Sequence, residues 1–169
     1  AGIYKNGKFE DIAFAGMRPR LTSALQAMGA LEPHETADEK INNPNSNIAF
    51  GSLIRCSVSR LDKKASEKSN KEIYACTGPL ITKSFKEIPR IINKCANKFL
   101  NDIPSTVKIV FFLGNTDSYV QSCQELIRSL YPNDFTQVNS MAVKANNRLW
   151  VHLAHPSGLN GHFKTWLNS

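Results

Sequence analysis

Apolar and polar positions follow two rhythms along this chain, and each change of rhythm marks an element. Leu21, Ala24, Leu25 and Met28 recur at helical spacing. They predict a helix with Pro19 in its first turn and Gly29 as its terminator. Residues 32–47, rich in Glu, Asn and Pro, read as a loop. Residues 48–56 (IAFGSLIRC) read as a strand weakened in its middle by Gly51 and Ser52. A polar, basic loop follows, and residues 71–100 read as one or two helices broken near Gly78-Pro79 and Pro89. Ile91, Ile92, Cys95 and Phe99 give the second of these its apolar face. Residues 107–113 (VKIVFFL) are continuous enough for a strand buried on both faces. After the turn Gly114-Asn115-Thr116-Asp117, a helix is expected to residue 130, with Tyr119, Cys123, Leu126, Ile127 and Leu130 inward. Two strands, 137–145 and 148–154, are expected to join at Asn146-Asn147, a strong turn signal.

Helix and strand alternate throughout. The expected class is therefore α/β, a three-layer αβα sandwich around a short, mainly parallel sheet. With 169 residues, 41% of them hydrophobic, residues 1–169 read as a single domain with an adequate core. Gly2-Ile3-Tyr4 reads as the tail of an element that begins upstream, so the domain is expected to lack its N-terminal strand. No apolar stretch approaches the length of a membrane span. The four cysteines, Cys56, Cys76, Cys95 and Cys123, include no close pair, which favours a reducing, intracellular setting. A monomer without a membrane partner is expected.

Charge changes this picture. Residues 51–100 hold eleven basic and four acidic side chains and supply the whole net charge of +7. Arg55, Arg60, Lys63, Lys64, Lys68 and Lys71 crowd one polar segment. Such a patch suits a polyanion, because phosphate contacts release counterions; a solvated lysine-rich loop is the equal alternative. Two turns add candidate chemistry. The strand ending at Gly114 exposes backbone N–H groups before a helix, a ready anion site. The apolar run 149–154 breaks at His155-Pro156-Ser157-Gly158-Leu159-Asn160. That places a polar turn at a sheet's carboxyl edge, where ligands of α/β folds usually bind. Leu159 follows two turn formers and is expected to be held out on the loop.

Four fragments, in order, resemble the uracil-DNA glycosylase superfamily: FAGMRPRLTSALQAMG (14–29), IAFGSLIRCSVSR (48–60), VKIVFFLGNTDSYV (107–120) and HLAHPSGLNGHF (152–163). Together they span most of residues 10–167. The resemblance implies a DNA-repair enzyme that flips a damaged base from the duplex and hydrolyses its N-glycosidic bond. His155 would be the catalytic group, donating a hydrogen bond to the base oxygen as negative charge develops. Leu159 would wedge into the gap left by the base. Phe14 would stack on the flipped base. Gly114, Asn115, Thr116, Ser157, Gly158 and Asn160 would hold flanking phosphates, with Arg60, Lys63 and Lys64 on the backbone. The residue readings that compete with these are a core Phe14, an inward Leu159, and His152 as the more buried histidine. His162 and Trp166, at helical spacing, read as packing a terminal helix.

Two departures from the family's pattern bear on catalysis. The Gly-rich first-strand motif with an Asp, Asn or Glu that positions water is not legible; Glu10 and Asp11 are the only carboxylates before the first helix. Ser52 stands where many members place a base-pairing asparagine, and a hydroxyl offers less than an amide. No cofactor is expected. In the iron–sulfur branch of the superfamily, cysteines at places like Cys56 and Cys76 bind a cluster, which would require two more upstream. An inactive DNA-binding module of the same fold is the alternative function. A small-molecule α/β enzyme with a phosphate at Gly114 is a third.

Overall fold

The computed structural model describes residues 13–55, 59–75 and 80–169, with backbone alone at 60, 75, 80 and 81. The expected strand tail at Gly2–Tyr4, Glu10 and Asp11, both cysteines Cys56 and Cys76, and the Gly78-Pro79 break lie outside the described residues. Helices and strands mix along the chain, an α/β arrangement in the broad sense. The described residues cluster into two compact units. One comprises residues 13–50, Phe111–Asn115 and His152–Ser169; the other comprises Gly51–Val110 and Thr116–Val151.

In the first unit, α1 (Arg18–Ala27) carries Pro19 in its first turn and ends where Gly29, at φ +68°, reverses the chain. Its inward stripe, Leu21 and Leu25, packs with Leu31 and Ala37, and Phe14, Ile48, Phe50, Phe111 and Leu113 close over this cluster. The expected loop 32–47 contains a short helix, α2 (Ala37–Ile41). Thr36 and Glu39 cap it reciprocally, a local signal of Thr followed three residues later by Glu. The terminal helix α7 (Phe163–Leu167) buries Phe163 and contacts α1.

In the second unit the basic segment is folded rather than a loop. Strands β1 (Arg60–Leu61) and β2 (Tyr74–Ala75) pair antiparallel around α3 (Lys63–Ser69). Helices α4 (Leu80–Glu87) and α5 (Pro89–Phe99) break at Pro89 as predicted. On α5, Ile92 and Cys95 are buried as expected, whereas Ile91 faces solvent. Ile54, Ile92, Cys95, Ala96 and Leu126 form this unit's core. Helix α6 (Asp117–Leu130) turns Cys123, Leu126 and Ile127 inward.

The larger sheet has strand order β3-β6-β5-β4, from β3 (Ile109–Leu113), β4 (Thr136–Asn139), β5 (Ala142–Ala145) and β6 (Arg148–Leu153). Strands β3 and β6 run parallel, joined by Leu149 N–H to Lys108 O and Gly114 N–H to Leu153 O. The other two pairs are antiparallel. Among the described strands the sheet is therefore mixed rather than mainly parallel. The reason is local: two tight hairpins can only return the chain antiparallel. One is the predicted Asn146-Asn147 turn, with both residues at φ near +50°. The other, at Ser140-Met141, divides the single strand expected over 137–145. Strand β3 lies at the described edge, and Ile109 is 48% exposed. Burial on both faces, expected for this run, does not hold at that residue. The strand expected over 48–56 is irregular over 48–55, although Ile54 is buried. Gly51 and Ser52 at its centre are exposed, so they bury nothing that would hold a ladder in place.

Candidate functional site

Strand β6 is buried through Leu153 and Ala154, and the chain then emerges at His155. Pro156 is fully buried and ends the strand, since it has no N–H to donate. The next four residues form a closely bonded loop. Asn160 N–H donates to Ser157 O (3.0 Å), and Leu159 N–H donates to Ser157 Oγ (3.2 Å). The Asn160 amide donates to His155 O (2.9 Å) and accepts from His162 N–H (3.1 Å). Arg20, on α1, donates to Ser157 O at 2.7 Å and Asn160 O at 3.2 Å, with its guanidinium over the Phe163 ring. A cation shared by two carbonyls holds the loop more firmly than neutral bonds would. On this support Leu159 stands 98% exposed. It does not fold back into the core.

The two histidines of β6 and its loop differ in chemistry. Ser157 N–H donates to His155 Nδ1 at 3.1 Å. A ring nitrogen that accepts carries no proton, so the neutral ring bears its hydrogen on Nε2. Partial desolvation lowers the His155 pKa, which favours that neutral form. His152 is buried, stacks on Phe112 with centroids 5.1 Å apart, and donates from Nδ1 to Gly114 O at 2.8 Å. Burial is also the main cause lowering its pKa. His152 thus anchors the turn after β3. Gly114 itself sits at φ +145°, a conformation essentially restricted to glycine.

The anion site expected at that turn is narrower than its sequence implies. Gly114 N–H is spent on Leu153 O at 2.7 Å. Any anion there must use the N–H groups after it, at the start of α6. Thr116 is the N-cap of α6 but its hydroxyl makes no capping bond, and Asp117 already places a carboxylate in the first turn. An acidic group there competes with a phosphate for the helix end.

Phe14 is half-buried, edge-on to Phe50 at 5.5 Å, and has φ +56°. Positive φ in a bulky residue is costly and worth a functional question. Its ring belongs to the first unit's core cluster, so the core reading holds at least in part. A shallow cavity beside this aromatic pair is lined by Ala13, Lys40, Pro44, Ile48 and Phe50.

The structure brings His155, Ser157, Gly158, Leu159 and Asn160 into one loop, and Phe14, Gly114 and Asn115 into the same unit. Ser52, Arg60, Lys63, Lys64 and Thr116 belong to the other unit. Ser52 is exposed on irregular chain. Lys63 and Lys64 are exposed in the first turn of α3, behind the cap Asp62, which accepts from Ala65 N–H at 3.0 Å. Two cations at a helix N-terminus oppose the helix dipole by about 0.3–1 kcal/mol each.

Sequence reasoning missed two supporting features, the Arg20 clamp and the anchoring role of His152. Nothing in their neighbourhood along the chain signals them, because their partners lie far off in sequence. Cys95 and Cys123 are both buried. Among the described residues no three His, Cys, Asp or Glu side chains are grouped to hold a metal, and no helix is long and apolar enough to cross a membrane. No protein-family model, curated protein or solved structure matches this chain.

Proposed function

We propose that this chain is a base-flipping DNA glycosylase domain that hydrolytically releases uracil or a related deaminated base. One observation carries the reading: a leucine 98% exposed on a closely bonded loop, four residues from a histidine whose neutral ring bears its proton on Nε2. A single exposed leucine is ordinary. A leucine held out on a loop that a buried proline and an arginine clamp support fits a wedge, because a rigid apolar side chain can fill a vacated base position. His155 Nε2–H would donate to the base oxygen as charge builds on the leaving base. Neutral imidazole suits that task, since it can stabilise charge without first losing a proton to the base. Phe14 would stack on the extruded base, and the N–H groups of Asn115 and Thr116 would hold a neighbouring phosphate. The ordered likeness of four fragments to uracil-DNA glycosylases supports the same reading. It carries with it a monomeric, intracellular, cofactor-free domain of three layers, in which the β3–β6 pair is the parallel part of a mixed sheet.

The test is release of base from a uracil-containing oligonucleotide. His155→Ala is expected to slow release about 100–1,000-fold, the usual worth of one transition-state hydrogen-bond donor, with oligonucleotide affinity retained. Absence of release from every deaminated base would leave the second reading, a DNA-binding module without chemistry. That reading is favoured by the exposure of His155, because a donor in water stabilises charge less than an enclosed one. It predicts salt-sensitive binding with no product.

A further inference from the structure

The excursion β1–α3–β2 carries features that the wedge and histidine do not use. Leu61 and Tyr74 are directly opposed in the two-stranded ribbon, so their side chains share a face. Leu61 is 37% exposed and Tyr74 54% exposed, on a ribbon too short to need either as surface. The ribbon is braced from behind its turn. Asp62 N–H donates to Ile73 O at 2.8 Å, and Ser66 Oγ accepts from Ile73 N–H at 2.9 Å. Lys64 and Lys68, one helical turn apart on α3, are both exposed, as is Lys71. Among the described residues none of these lysines has an ion-pair partner. Tyr74 Oη donates to Glu72 at 3.1 Å, and that carboxylate raises the phenol's pKa, so the ring stays neutral.

We propose that this excursion is a docking platform for single-stranded nucleic acid, with Tyr74 stacking on a base and Lys64, Lys68 and Lys71 following the phosphates. The charge selects a polyanion and the aromatic face selects one whose bases are unpaired. In a duplex those faces are already stacked, whereas in a single strand each base offers a face to a ring. Leu61 extends the apolar platform beside Tyr74. The proposal deepens the DNA reading above by assigning strand preference, yet it needs no base release.

The test is fluorescence anisotropy of the whole chain with labelled oligodeoxythymidylate and with a duplex of equal length. The expected result is tighter binding to the single strand, lowered about 5–100-fold by Tyr74→Ala, retained in Tyr74→Phe, and made less salt-dependent by Lys68→Gln. Tyr74→Ala that leaves the single-strand affinity unchanged, or that weakens duplex equally, would overturn it. So would binding to phosphatidylserine vesicles that falls with Tyr74→Ala while oligonucleotide binding does not. Circular dichroism on each variant separates lost binding from lost folding. A failed glycosylase reading shows as no base release with this single-strand affinity intact, whereas a failed platform shows as Tyr74→Ala binding like the unaltered chain, so the two failures give different results.

Discussion

His152 and His155 stand three residues apart and place their ring protons on opposite nitrogens. Each tautomer follows from a partner that can play only one role: a backbone N–H must donate to His155, and a carbonyl must accept from His152. Both rings have folded-state pKa values below the ordinary histidine range. A group whose folded pKa is lowered takes up its proton in the unfolded chain first. Its stabilising contribution is therefore whole above about pH 6.5 and declines as pH falls toward the folded pKa. We expect the urea midpoint of the chain to fall between pH 7.5 and pH 5, and His152→Gln to flatten that slope. An unchanged slope in the variant would remove His152 as its cause. Glu35, held below the usual carboxylate range chiefly by its hydrogen bond from Lys40, responds at lower pH and does not confuse this window.

At the scale of elements, the decisive feature is the packing of α1 against the loop after β6. Arg20 meets Ser157 O, Asn160 O and the Phe163 ring, so one side chain fixes both ends of the tetrapeptide that carries Leu159. Charge-assisted bonds of this kind are worth about 1.5–3 kcal/mol. Arg20→Ala is expected to raise amide exchange at residues 159–162 by roughly one to two powers of ten, with little change in the core of the second unit. Arg20→Lys should recover only part of that protection, because a point charge cannot reproduce the planar fork. Equal exchange in wild type and Arg20→Ala would show the loop to be rigid on its own bonds. The helices α1, α5 and α6 are each legible from spacing alone, since most of each apolar stripe is buried; Ile91 on α5 and Met28 at the end of α1 are the exceptions, both exposed. The hairpin at Asn146-Asn147 is equally legible, because both residues tolerate positive φ. Helix α3 and ribbon β1–β2 are not, as a lysine-rich polar run carries no apolar period to read.

At the scale of the whole molecule, charge is the property that sequence sets most firmly. Eleven of the basic side chains fall within residues 51–100, and the structure places Lys63, Lys64 and Lys68 on α3 with Lys71 just beyond it. Reversing Lys63 and Lys64 to Glu is expected to weaken duplex binding uniformly across sequences. It should also reduce the slope of log K against log salt by about 2, near 0.9 for each phosphate that a lysine no longer neutralises. A binding curve that ignores both substitutions would count against a DNA-binding role for α3.

The chain by itself determined where its main helices run, where Gly29, Pro89 and Asn146-Asn147 punctuate it, and that His155 to Asn160 is a polar turn bearing an apolar side chain. Those properties depend on neighbours within a few residues, where backbone sterics and side-chain periodicity act. Only the tertiary structure decided that residues 48–55 form no ladder, that β3 lies at a described edge, and that the sheet mixes directions. Strand pairing depends on distant partners, which no local window contains. The same holds for the site. Leu159 projects and Arg20 clamps its loop because folding brings residues 20, 114 and 152–163 together across long stretches of chain. The His155 tautomer is set by Ser157 only two residues away, yet it needs the bend that buried Pro156 imposes.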